Sequence, residues 1–113
     1  MLPDLRGRPA PRQPGEERIH GTTIAVGEAG ILLRGASGAG KSLLALAIIA
    51  LAGQAGRFGR LVADDRTALA ARGDRLIARP VPPLEGIVER RGLGLTPEPA
   101  TPAAVVRLVV DLL

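Results

Sequence analysis

The chain has 113 residues, enough for one small domain with a modest core but too few for a second. Its 46% hydrophobic content is almost wholly aliphatic, with Phe58 the sole aromatic residue, so the core must be built from Leu, Val, Ile and Ala. The lack of cysteine excludes disulfide scaffolds, thiolate metal sites and cysteine nucleophiles, while the net charge of +4 comes from scattered arginines that read as solvated surface.

Residues Met1 to about Arg18 carry Pro3, Pro9, Pro11 and Pro14 among charges and glycines, which predicts a flexible tail ahead of a domain over Ile19–Leu113. The start shows no apolar signal core and no apolar run long enough to span a bilayer, so the expectation is a cytoplasmic protein with no membrane partner. Without a dense basic block or aromatic stacking residues, nucleic acid is not an expected partner either.

The β-branched residues of Ile19–Val26 predict a strand, Gly27-Glu28-Ala29-Gly30 a turn and Ile31–Arg34 a second strand. Leu43–Ala52 is a strong helix former with apolar residues almost all round, which predicts burial over most of its surface, and Gly53, Gly56 and Gly59 end it. Arg60–Ala63 reads as a short strand running into Asp64-Asp65. Thr67–Ala71 and Arg75–Arg79 flank Gly73-Asp74 as a hairpin.

Pro80, Pro82 and Pro83 break that pattern, and the spacing of Leu84, Ile87, Val88 and Arg91 predicts a short helix over Leu84–Arg90. In Val105–Leu113, Arg107 and Asp111 are spaced as on a helix, whereas Val106, Leu108, Val110 and Leu112 alternate as in a strand. The β-branched content favours the strand. Its apolar Leu112-Leu113 end predicts an edge left uncovered unless another subunit shields it.

Gly35-Ala36-Ser37-Gly38-Ala39-Gly40-Lys41-Ser42 satisfies G-x-x-x-x-G-K-[ST] between a predicted strand and a predicted helix, the setting that makes a phosphate-binding loop credible. Glycines let backbone N–H groups turn inward around phosphate oxygens, and the helix N-terminus adds partial positive charge. Lys41 can reach the β- and γ-phosphates and Ser42 can ligate Mg²⁺. Such a site also needs a carboxylate at the end of a neighbouring strand, which Asp64-Asp65 supplies. Repulsion between two adjacent carboxylates separates their proton affinities, so one can serve the metal and the other accept a proton. His20 and Glu89 are, on their own, an ordinary strand histidine and an exposed charge.

Taken together and in order, His20-Gly21, GASGAGKS, Leu61-Val62-Ala63-Asp64-Asp65 and Glu89-Arg90-Arg91-Gly92-Leu93-Gly94 resemble the HPr kinase/phosphorylase family, in the compact form that lacks an N-terminal domain. The resemblance implies an α/β P-loop nucleotide-binding domain with a mixed sheet, of the HPr kinase C-terminal, PEP carboxykinase-like type. It implies an ATP-dependent enzyme that phosphorylates a serine of HPr, the phosphocarrier of the sugar phosphotransferase system, and in many members removes that phosphate again. By the same resemblance His20, Lys41 and Asp65 are active-site residues with Asp65 the proton acceptor, Gly35–Ser42 hold the nucleotide, and Ser42, Asp64 and Glu89 serve Mg²⁺.

Three departures from the family pattern stand out: a longer link at Gly53–Gly59, Leu95-Thr96-Pro97 in place of a hydrophobic run after Gly94, and a chain that stops at Leu113 where fuller members continue. The last favours kinase over phosphorylase chemistry. A homo-oligomer, in the family a hexamer, is the implied assembly. Two alternatives are another P-loop small-molecule kinase, which would lack the His-Gly and E-x-R-G-L-G elements, and a non-catalytic nucleotide-sensing module.

Overall fold

The computed structural model describes residues 14–36, 38–82, 87–90, 94–97 and 99–113. Strand β1 (Glu16–His20) is followed by the hairpin of β2 (Thr22–Val26) and β3 (Ala29–Arg34), then helix α1 (Lys41–Gln54) and strand β4 (Gly59–Ala63). A second hairpin, β5 (Arg66–Arg72) with β6 (Arg75–Pro80), precedes the pair β7 (Ile87–Arg90) and β8 (Gly94–Pro97), and β9 (Ala104–Asp111) comes last.

Seven strands form one sheet in the order β1-β5-β6-β9-β3-β2-β4, and β7 pairs with β8 separately. The sheet is mixed: every neighbouring pair is antiparallel except β3 with β9. β9 joins two antiparallel halves. Val105 and Ala104 pair with Ile77 and Ala78 of β6, and from Val106 onward β9 runs parallel to β3, with a register shift between Gly30 and Ile31. Such a bulge reverses the facing of the residues beyond it. The backbones approach so closely there that a Cβ at Gly30 would lie 2.7 Å from the Val105 carbonyl oxygen.

Strand alternation splits the core in two. Ile24, Leu33 and Leu61 face α1 and meet its Ala45, with Val110 and Leu112 of the β9 end packed alongside. Ala25, Val62 and Ala63 face the other way and meet Ala78 of β6, with Leu69 of β5 beside them, so the β5–β6 half folds over the back of the β2–β3–β4 half. Burial of each large aliphatic side chain contributes about 1.5–3 kcal/mol.

Four expectations are corrected. The strand pattern begins at Glu16, inside the expected tail: Glu16–His20 pairs with Ala70–Arg66, and Arg18 donates to the Glu16 carboxylate at 3.0 Å. A charge-rich segment suits this position because β1 is an edge strand. Residues 1–13 lie outside the described residues.

The helix is longer than expected and buried on a single face. Lys41, Ala45 and Ala52 are its buried residues, whereas Leu43 and Leu51 are 76% and 62% exposed, because α1 rests on one side of the sheet and an apolar composition cannot supply a second contact surface. Ile87–Arg90 is a strand rather than the end of a helix; its pairing with Gly94–Pro97 favours β-branched Ile and Val over the helical spacing, and residues 83–86 lie outside the described set. β9 is interior in strand order, not an edge, although the pairing with β6 covers only Ala104 and Val105.

Candidate active site

β2 runs antiparallel between β3 and β4, so its first residue, Thr22, lies between the C-terminal ends of both neighbours. The glycine-rich loop Gly35–Gly40 leaves one end and Asp64-Asp65 leaves the other. This topology brings two motifs more than twenty residues apart to one edge of the sheet.

The loop spans Gly35–Gly40 between β3 and α1, the strand–loop–helix order expected from the motif; Ser37 lies outside the described residues. Gly38 and Gly40 adopt left-handed backbone angles of φ 86° and 97°, which side-chain-bearing residues rarely accept. Ala39 N–H donates to the Ala36 carbonyl at 3.0 Å. Gly40 caps α1 without a side-chain hydrogen bond, and no acidic residue occupies the first helical turn. The N–H groups at this helix end therefore keep their affinity for an anion.

Lys41 opens the helix, and its side chain is 4% exposed. A buried ammonium must be compensated, and Nζ donates to the carbonyls of Gly35 at 2.9 Å and Ala36 at 3.2 Å, leaving it 3.9 Å from Asp65 Oδ1. Ser42 Oγ donates to Asp64 Oδ1 at 2.5 Å, and Thr22 Oγ1 donates to the same oxygen at 3.1 Å.

Asp65 has φ 62°, the only positive value for a non-glycine among the described residues. Asp tolerates this conformation better than most residues, but it costs roughly 1–2 kcal/mol against the right-handed region. Two hydrogen bonds hold it: Asp65 N–H donates to Thr22 Oγ1 at 3.0 Å, and its carbonyl accepts from Gly21 N–H at 2.8 Å. The carboxylate is thus presented to solvent beside Lys41, with 58% of the side chain exposed.

The structure therefore gathers Lys41, Ser42, Asp64 and Asp65. His20 is exposed at the end of β1 opposite Arg66, adjoining the Gly21–Asp65 hydrogen bond. Glu89 lies on β7 opposite Leu95, in the separate two-stranded sheet. Thr22 escaped the sequence reading: it looked like any β-branched strand residue, and its partners lie 42 and 43 positions away.

Among the described residues, no group of three or more His, Asp or Glu could hold a metal ion unaided. Adjacent hydroxyl and carboxylate oxygens from Ser42 and Asp64 nevertheless fit Mg²⁺, which takes few protein ligands and retains waters or phosphate oxygens. No helix among the described residues is long and apolar enough to cross a membrane.

Comparison with known proteins bears on the family and the fold. The HPr kinase/phosphorylase of Limosilactobacillus reuteri (strain DSM 20016) is 35% identical over 96 residues, 84% of this chain and 27% of the relative. That of Clostridium beijerinckii is 40% identical over 80 residues, 71% of this chain and 24% of the relative. The chain thus spans only 27% and 24% of the length of these two curated relatives. The solved Hpr(Ser) kinase/phosphatase from Coxiella burnetii shares the fold, with a TM-score of 0.70 over 84% of this chain and 58% of that one, at 24% identity. The family model of the HPr serine kinase C-terminal domain matches residues 14–97, and the chain belongs to that family.

Proposed function

We propose that the protein is an ATP-dependent protein-serine kinase whose acceptor is HPr, the acceptor named in its relatives. The observation that carries this reading is the convergence of Lys41, Ser42 and Asp64-Asp65 at one sheet edge. Gly35–Ser42 would cradle the nucleotide phosphates through backbone N–H groups. Lys41 would offset negative charge on the transferred phosphoryl group.

Ser42 and Asp64, with Glu89 assigned by resemblance, would hold Mg²⁺, which when bound neutralises phosphate charge. Asp65 would accept the proton of the seryl hydroxyl as its oxygen bonds to the γ-phosphorus and the bond to the ADP oxygen breaks. Returning that proton while inorganic phosphate attacks is the corresponding phosphorylase step. His20, beside the Asp65 turn, would line the acceptor side. Self-association, expected from the family resemblance, is consistent with the exposed apolar face of α1.

The test is transfer of ³²P from ATP, with Mg²⁺, to HPr. Lys41→Ala is expected to raise the ATP dissociation constant about tenfold or more, since it removes a charge-assisted contact. Asp65→Asn should leave that constant within about threefold and lower transfer about a hundredfold or more. ATP binding without transfer would leave a nucleotide-sensing module, and transfer to small hydroxyl compounds but not to HPr would leave a metabolite kinase.

A further inference from the structure

We infer that the Thr22 hydroxyl is a positioning group that sets where the Asp65 carboxylate stands, and that transfer depends on it; the second half rests on the kinase reading above. Thr22 is fully buried. A hydroxyl has one hydrogen to give and lone pairs to receive, and here both capacities go to the two aspartates: the hydrogen to the Asp64 carboxylate Oδ1 at 3.1 Å, a lone pair to the Asp65 backbone N–H at 3.0 Å. One atom therefore fixes the offset between the two residues.

The backbone of Asp65 needs such a restraint. Its left-handed angle is uphill, and its N–H and C=O are tied to consecutive residues, Thr22 and Gly21. Without the Thr22 bond the turn loses one of its two anchors and relaxes toward the right-handed or extended region, carrying the carboxylate away from Lys41, from which it now stands 3.9 Å.

The fold does not ask for this hydroxyl. Valine has the same shape and a comparable strand preference. A second buried hydroxyl, on the next residue, serves as comparator: Thr23 Oγ1 lies 2.9 Å from Thr67 Oγ1 and bonds to neither Gly21 nor either aspartate. Thr23 is buried as completely as Thr22.

Three variants in the full chain separate positioning from packing: Thr22→Val, Thr22→Ser and Thr23→Val. With ATP, Mg²⁺ and HPr, Thr22→Val is expected to lower kcat about tenfold or more with the KM for ATP within about threefold, and Thr22→Ser to stay within about threefold of the parent in both. Thr23→Val should lower the melting temperature while kcat stays within about threefold.

Equal kcat losses in Thr22→Val and Thr23→Val would overturn the inference, as would failure of Thr22→Ser to preserve kcat. Hydrogen exchange of the Asp65 amide supplies a readout independent of catalysis: about tenfold or more faster in Thr22→Val, unchanged in Thr22→Ser. If the parent protein transfers no phosphate, the kinase reading fails while this exchange still decides the link between Thr22 and Asp65. Unaltered protection in Thr22→Val, or lost protection in Thr22→Ser, would sink it.

Discussion

Asp65 sets two demands against each other in one residue. In the proposed kinase its side chain is needed beside Lys41, while its backbone sits in the left-handed region that glycine adopts most readily. Replacing it separates the two demands. Asp65→Gly should be more stable than Asp65→Ala by about 1 kcal/mol, because alanine meets the left-handed penalty without Asp's tolerance for it. Urea unfolding of the two variants measures the difference, and equal stabilities would mean that the turn relaxes freely.

At this scale Lys41 and Ser42 were legible because a phosphate loop is a contiguous pattern whose geometry is local. Thr22 was illegible because its role depends on hydrogen-bond partners 42 and 43 residues away, which no periodicity reveals.

The elements follow a similar division. The β2–β3 and β5–β6 hairpins were readable from turn glycines between β-branched or alternating runs, and the helix from its Ala- and Leu-rich composition. Composition could not report how many faces of α1 are covered, since that depends on what the sheet offers. The β7 misreading arose because four residues satisfy either period, and pairing with β8 decides between them.

β3 and β9 are clamped at their ends by Arg34 and Asp111, which lie opposite one another in the parallel register. The Arg34 guanidinium donates to both Asp111 oxygens, at 2.7 and 2.9 Å. This hydrogen bonding holds the Asp111 carboxyl below its ordinary value and raises the guanidinium above its own. The stabilisation is therefore complete above the unfolded carboxyl's pKa, about 4, and disappears as pH falls through the depressed folded value. Since the pair is exposed, the effect is small. Asp111→Asn should lower the melting temperature slightly at pH 7 and leave it unchanged near pH 2; a pH-independent difference would refute the assignment.

At the scale of the sheet, β9 is the only strand among the described residues paired with both antiparallel halves, to β6 through Ala104 and Val105 and to β3 from Val106 to Asp111. Removing residues 104–113 should abolish the cooperative thermal transition followed by circular dichroism, not merely lower its midpoint, because each half would then expose an unpaired central edge. A sharp transition in the shortened chain would show that the halves stand independently.

The mixed sheet was foreseeable from the family resemblance. The seat of β9 at its centre was not, since its alternation marks a strand without naming its neighbours.

The position of β9 also bears on how the chain acquires its shape. The Arg34–Asp111 contact closes a loop of 77 residues, so the middle of the sheet waits until β9 has left the ribosome. Until then the β2–β3 and β5–β6 hairpins, each able to form locally, wait side by side with open edges. Long-range closure of this kind slows folding and prolongs exposure to wrong partners. The strand whose end bonds to Arg34, just before the glycine-rich loop, thus joins the sheet after both of its neighbours.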